Sequence, residues 1–363
     1  MSQVFLPYSP EVETVPEDEG ETIDAILQSM HRLSARTREQ VGHTIRVSHA
    51  KSFGAAVGVL EVLDGLPEEL RQGLFGKRAR FDVVARLANV PGEIMTDAVS
   101  TQRGFSIKVI GVEGEMLPGH AGEVTQDFVL DTGNRFAAPT AAAFLLTHRG
   151  LEHAPQMPEA VKQAVSRASR ATNAVLHVVG ADSANLDFFG HPRVHPLSEA
   201  YYTQAPIRYG DYVAKLAVVP VAAAQQALEG EALDTGDDPD ALRTATVQFL
   251  QAQDAVFEVR VQLCTDLDSM PVEDASAEWP EEQSPYRTVA RLTLPQQDAY
   301  TEARRRYVDE DLSFCVSHSL AAHRPLGGVM RARMRAYPEM ARLRRGENGA
   351  PQAEPRAVSE VPG

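Results

Sequence analysis

The sequence predicts a domain that mixes α-helices with β-strands, and three stretches carry that expectation. From Glu21 onward, Ile23, Ile26, Leu27, Met30 and Leu33 recur at helical spacing with polar residues between them, the pattern of an amphipathic helix. Across residues 257–263, apolar side chains alternate with Glu258, Arg260 and Gln262, which is the period of a half-buried strand. Residues 331–345 read R-A-R-M-R-A-Y-P-E-M-A-R-L-R-R, an arginine-rich helix. Arg333 and Tyr337 are four apart in it, so they share a face and the guanidinium is expected to reach the phenol oxygen. With 363 residues, 43% of them apolar, the chain can bury a large core in one big domain or two smaller ones.

Taken in order, residues 1–20 are proline- and acid-rich and are expected to form an extended or mobile arm. The helix from Glu21 has no basic polar face, so it packs on a core rather than on a membrane. Residues 46–51 read R-V-S-H-A-K and lead through Gly54 and Gly58 into an apolar strand. Taken alone, a histidine there is an ordinary core side chain. Residues 81–92, F-D-V-V-A-R-L-A-N-V-P-G, form an apolar segment ending in a Pro-Gly turn. R-G-F-S-I-K at 103–108 enters another strand, and D-F-V-L-D-T-G-N-R-F-A-A spans 127–138.

Residues 150–185 are Ala-rich and expected to be helical. His191 and His195 stand beside prolines, which predicts an extended loop rather than a metal site. A strand with an aromatic face is expected within 201–220. The acidic run 234–240 lacks the ligand spacing of a calcium loop and is read as solvated. Residues 289–294 follow Trp279-Pro280 as a further strand. F-C-V-S-H-S-L-A-A-H-R-P-L-G-G at 314–328 feeds the tyrosine helix, with His318 and His323 expected to be structural hydrogen-bonding groups. Residues 346–363, rich in Gly, Pro and Glu, are expected to be a disordered tail.

The net charge of −15 argues against a nucleic-acid partner. Cys264 and Cys315 cannot build a disulfide framework or a cysteine zinc site, and the default compartment is the reducing cytoplasm. No basic segment followed by an apolar run opens the chain, and no long apolar stretch occurs, so the expectation is a soluble protein without membrane insertion.

Several of these segments, in this order between Arg46 and Arg345, resemble those of haem catalases, most closely the small bacterial catalase-related haem peroxidases. R-x-x-x-Y-P at 333–338, continued by Arg342 and Arg344, is similar to the helix that supplies the haem ligand. R-x-x-H-A-K resembles the distal strand, 81–92 the segment carrying a second propionate-binding arginine, and R-G-F-S-I-K a structural element of that family. The resemblance implies an α+β architecture: a catalase-like antiparallel β-barrel with flanking α-helices, with b-type haem between the barrel and the last helix. The implied domain spans 21–345.

Tyr337 would be the axial iron ligand, a role tyrosinate plays in catalases. A free phenol ionises near pH ~10, and an adjacent cation with a bound ferric ion would hold it as phenolate. Arg333 would tune that oxygen, and Arg46, Arg86 and Arg344 would bind the propionates. His49 would be the distal acid and base, with Phe136 and Phe144 against the haem. A gapless alignment puts Asp131 where the family has a distal asparagine. Asn134, three residues later, takes that place if the loop shifts, and both stay open here.

Two departures bear on activity. Ala88 replaces the hydroxyl residue that supports the distal histidine, and Ser48 replaces an apolar residue, making the pocket wetter. The expectation is a haem peroxidase that reduces hydrogen peroxide or organic hydroperoxides with an unidentified electron donor and has weak catalase activity at most. The alternatives are an allene-oxide-synthase-like fatty-acid hydroperoxide isomerase or lyase, and a non-enzymatic haem-binding protein. Homo-oligomers built through the arms are expected by analogy with catalases.

Overall fold

The computed structural model describes residues 4–178, 183–236 and 238–363. Nine strands form one sheet: β1 (Ser52–Val62), β2 (Arg80–Asn89), β3 (Arg103–Ile110), β4 (Thr125–Thr132), β5 (Tyr201–Tyr202), β6 (Ile207–Tyr209), β7 (Tyr212–Pro220), β8 (Ala255–Leu263) and β9 (Arg287–Leu294). Every pairing is antiparallel, in the order β5-β4-β3-β2-β1-β9-β8-β7-β6. Tyr201 and Tyr202 of β5 also pair with Val218 and Ala217 of β7, which closes eight strands into a barrel and leaves β6 as a short flap on β7. Closure removes the exposed edges an open sheet would carry.

The barrel holds the main core. Phe53, Phe105, Phe257 and Leu292 are fully buried, and Phe105 meets Tyr201 and Phe257 at ring-centre distances of 5.3 and 5.4 Å. β1 reaches β9 closely at Gly58, where a side-chain carbon would stand 2.5 Å from the Thr293 carbonyl oxygen.

Among the described residues, eight helices flank the barrel: α1 (Glu19–Val41), α2 (Ala141–Leu151), α3 (Glu159–Val178), α4 (Ala184–Gly190), α5 (Ala223–Gln226), α6 (Ala241–Ala252), α7 (Glu302–Arg306) and α8 (Gly328–Asn348). The apolar stripe foreseen on α1 packs on α2 and α8: Ile23, Ile26, Leu27 and Met30 join Ala141, Leu145, Ala332, Ala336 and Met340 in a second core. A single π-helical turn, Tyr307–Asp311, precedes the loop to α8. The expected α+β class and antiparallel barrel with flanking helices are what the chain forms.

Some local expectations need correction. The N-terminal residues from Val4 onward lie on the chain's own barrel. Leu6 N donates to Cys264 O at 2.8 Å and Tyr8 N to Asp211 O at 2.7 Å. Arg331 on α8 is held by Glu13, Glu19 and Glu273. Glu13 and Glu19, two of the acids that suggested a mobile arm, are thus paired to one half-buried guanidinium. The tail is ordered too: α8 runs on to Asn348, Glu354 accepts from Lys108 and Thr125, and Val361 is buried. Single ionic anchors of this kind leave no periodic signal to read. Asp240, from the run taken as solvated, pairs with buried Lys51 at 3.1 Å; residue 237 and residues 179–182 lie outside the described residues. His191 serves as a partner of Glu199 at 2.5 Å.

Candidate active site

The R-V-S-H-A-K segment becomes the loop that enters β1, and it is anchored at nearly every residue. Arg46 donates to the carbonyls of Val308 and Leu312, each at 2.8 Å. His49 N donates to Val90 O at 2.8 Å, Ala50 N to Pro91 O at 3.1 Å, and Arg86 donates to His49 O at 2.7 Å. Lys51 pairs with Asp97 at 2.8 Å. The anchors hold His49 at φ 56°, a left-handed backbone that costs a non-glycine residue about 1–3 kcal/mol. Gln204, at φ 60°, is the other such residue among those described, and it lines the same cavity as His49.

That cavity, about 1230 Å³ including its open mouth, lies between barrel and helices. Its wall brings together Ser48, His49, Asp131, Phe136, Phe144, Arg333 and Tyr337. A second lobe of about 630 Å³ shares Ser48, His49 and Tyr337 and is lined at its far side by Arg46, Arg86 and Arg344. Of the site residues foreseen in the sequence, Asn134 alone is elsewhere: its Nδ2 donates to Glu278 at 2.7 Å. The open choice between Asp131 and Asn134 thus falls to Asp131 as the cavity-lining side chain, because β4 runs in unshifted register with β3 and sets Asp131 opposite Gly104.

His49 Nε2 lies 3.4 Å from Asp131 Oδ1, yet the two do not form a charged pair. Burial, with the charges of Arg86, Arg333 and Arg46, pushes the imidazole down to about 3, so it is neutral at pH 7. Burial pushes the Asp131 carboxyl up to about 6, against the pull of Arg333. Asp131 Oδ1 is buried with no hydrogen-bond partner, a costly state that invites a ligand proton. Ser48 Oγ donates to Val90 O at 3.2 Å, so its proton is occupied and its lone pairs remain as acceptors. Phe136 and Phe144 stand 5.5 Å apart, centre to centre.

The expected Arg333 contact with the Tyr337 phenol is replaced. Arg333 turns to Asp131 Oδ2 at 3.7 Å and lies 4.9 Å over the Phe136 ring, since a carboxylate and a ring face attract a cation more than a neutral phenol does. Burial accordingly raises Tyr337 above its ordinary value, and the charge of Arg333 offsets only part of the rise.

No family model matches the chain, and no curated protein matches it in sequence. Among solved structures, a fungal catalase superposes over 96% of this chain and 67% of its own, with a TM-score of 0.59 and 17% identity. Catalase A from Saccharomyces cerevisiae superposes over 95% and 68%, at 0.58 and 17%, and a bacterial catalase over 95% and 64%, at 0.57 and 15%. The chain has the catalase fold. It spans about two thirds of the length of those catalases.

Within this catalase fold the residues present fit a haem. Arg86 is paired with Asp309 at 2.9 Å, but Arg46 and Arg344 satisfy themselves only on carbonyls, and the Nε of each is buried without a partner. Burial and the neighbouring Arg344 and Arg86 charges push Arg46 well below its usual value. Burial and Arg86 likewise bring Arg344 down to about 10. A cluster short of anions suits two carboxylates. The phenol on the cavity wall suits a ferric ion.

One participant escaped sequence reasoning. Gly104, in the stretch judged structural, is the floor beneath His49: a side-chain carbon there would stand 2.4 Å from His49 Nδ1 and 3.0 Å from Asp131 Oδ1. Its signal was a glycine inside a strand pattern, which often marks a close approach. Ala88, where a supporting hydroxyl was expected, pairs with this same Gly104.

Proposed function

We propose that the protein is a haem-dependent peroxidase that reduces hydrogen peroxide or organic hydroperoxides. Tyr337 would be the proximal ligand, His49 the distal acid and base, and catalase activity weak at most. The observation that carries this reading is the convergence of a histidine, a carboxylate with an orphaned oxygen and a tyrosine on one cavity whose second lobe ends in three arginines. Arg46, Arg86 and Arg344 would hold the propionates of a b-type haem. When bound, the iron supplies the redox chemistry and the positive charge that ionises Tyr337.

The chain's own residues supply proton traffic. Neutral His49 accepts a proton from an entering hydroperoxide and returns it to the distal oxygen, so that oxygen leaves as water or alcohol rather than as an anion. Asp131, ionised above pH about 6, is a second acceptor within reach of the same nitrogen. Binding two propionates would offset part of the positive charge of Arg86 and Arg46 that, after burial, depresses His49. A carboxylate and hydroxyl where catalases carry an amide and an apolar side chain, as the resemblance implies, favour a wetter pocket and slower dismutation.

A second reading, turnover of a fatty-acid hydroperoxide without added reductant, draws on the apolar outer wall of the cavity, which includes Ile26, Met30, Leu33 and Phe188. It predicts loss of a lipid hydroperoxide with no donor present; a strict requirement for donor leaves the peroxidase.

The decisive experiment is the absorption spectrum of protein from haem-replete cells beside Tyr337→Phe. The expected result is a five-coordinate ferric-tyrosinate spectrum that the variant loses. Failure of the unmodified protein to take up haem on reconstitution overturns the proposal.

A further inference from the structure

We infer that His120, Glu123 and His318 form a binding site for a single zinc ion, outside the cavity and independent of haem. The nitrogens of both rings converge on one carboxylate oxygen: His120 Nδ1 lies 2.7 Å and His318 Nε2 2.5 Å from Glu123 Oε2. The rings are 4.1 Å apart, centre to centre, and one ligand atom from each residue lies within 4.8 Å of the others. A tetrahedral zinc, at about 2.0–2.2 Å from nitrogen and oxygen ligands, spaces them about 3.4 Å apart, inside that range.

Hydrogen bonding accounts for His120 and Glu123 but leaves His318 unexplained. His318 is 4% exposed, yet neither of its ring nitrogens has a partner in hydrogen-bond geometry. Buried polar atoms are nearly always satisfied. Charge points the same way. Glu123, Asp127 and Glu354 gather around His318, and the buried cation among them is Lys108, which Asp127 and Glu354 share. A divalent ion corrects the excess of negative charge.

The surroundings have the form of an outer shell. Asp127 Oδ2 stands 3.6 Å from His318 Nδ1, and His120 Nε2 is 3.1 Å from Ser317 Oγ, so each ring's second nitrogen faces a group able to fix its orientation. The backbone already holds the two halves together: Leu117 N donates to Ser319 O at 2.9 Å and Asp127 N to His318 O at 2.8 Å. Two histidines and one carboxylate are a zinc donor set, and imidazole with carboxylate excludes no borderline divalent ion by softness. His120 and Glu123 are partly exposed, so the remaining coordination position faces solvent. The ion would pin the β3–β4 connection to the segment that leads into α8 and Tyr337.

The test uses tag-free, full-length protein stripped with a chelator. Zinc chloride is titrated calorimetrically, metal per chain is counted by mass spectrometry, and melting temperature is followed. One zinc per chain at sub-micromolar Kd, a higher Tm with zinc, and at least tenfold weaker binding in His120→Gln and in Glu123→Gln are expected. Both replaced side chains are partly exposed, and an unchanged circular-dichroism spectrum verifies that each variant is folded. Stoichiometry below one per chain, a Kd weaker than about 1 µM, or binding in both variants equal to the parent's overturns the site.

Discussion

Replacing Gly104 by alanine asks whether the strand floor under His49 sets the geometry of the reaction. The added carbon would sit 2.4 Å from Nδ1 and 2.5 Å from Cε1 of His49, so restoring ordinary contact displaces the ring by about 1 Å. The backbone cannot follow, because His49 is tied through N to Val90, through O to Arg86, and sits at φ 56°. The ring must therefore swing away from Asp131, whose Oδ1 is itself 3.0 Å from the new carbon. A misplacement of about 1 Å in a catalytic group costs on the order of 100-fold in rate. Stability changes less, since alanine gains about 0.5–1 kcal/mol over glycine in a strand while the crowding takes back about 1–3 kcal/mol. Gly104→Ala is thus expected to bind haem normally, melt within a few degrees of the parent, and turn over peroxide with a reducing dye about 100 times more slowly. Turnover within threefold of the parent in a fully haem-loaded sample would refute the argument.

Three more outcomes follow from the same coordinates. Asp131, pushed up to about 6, is the acceptor only when ionised, so kcat/KM should fall as pH drops below about 6, and Asp131→Asn should flatten that limb; an unchanged profile in the variant assigns the limb elsewhere. Arg344→Met removes a charge-assisted contact worth about 1.5–3 kcal/mol and should speed haem transfer to an acceptor globin by 10–100-fold (about that energy in a rate); unaltered retention contradicts the propionate role. Lys108→Met leaves Asp127 and Glu354 buried beside each other without their cation, a change costing about 3–5 kcal/mol, readable as a lowered urea midpoint; a midpoint equal to the parent's rejects the anchor.

What the chain reveals before folding depends on how its contacts are distributed. R-V-S-H-A-K and the Arg333 to Arg344 helix were legible because each packs its chemistry into one short run, and α1 because five apolar residues repeat on one face. The unshifted register of β3 and β4 that selects Asp131 over Asn134 is a property of the pairing, and one slipped residue would have turned Asp131 away. Arg86 was foreseen as a propionate-binding arginine; Asp309, 223 residues away, also pairs with it, and no local pattern encodes that partner. The same holds for the N- and C-terminal segments, read as a mobile arm and a disordered tail, where Glu13 and Glu19 pair with Arg331 and Glu354 pairs with buried Lys108. Composition reports charge and not its partner, so a proline- and acid-rich stretch is consistent with either state until the opposing cation is located. The distal site carries the same lesson into chemistry. His49 belongs to the sequence, but its neutral state at pH 7 belongs first to its burial and then to three arginines brought there from β2, α8 and its own loop.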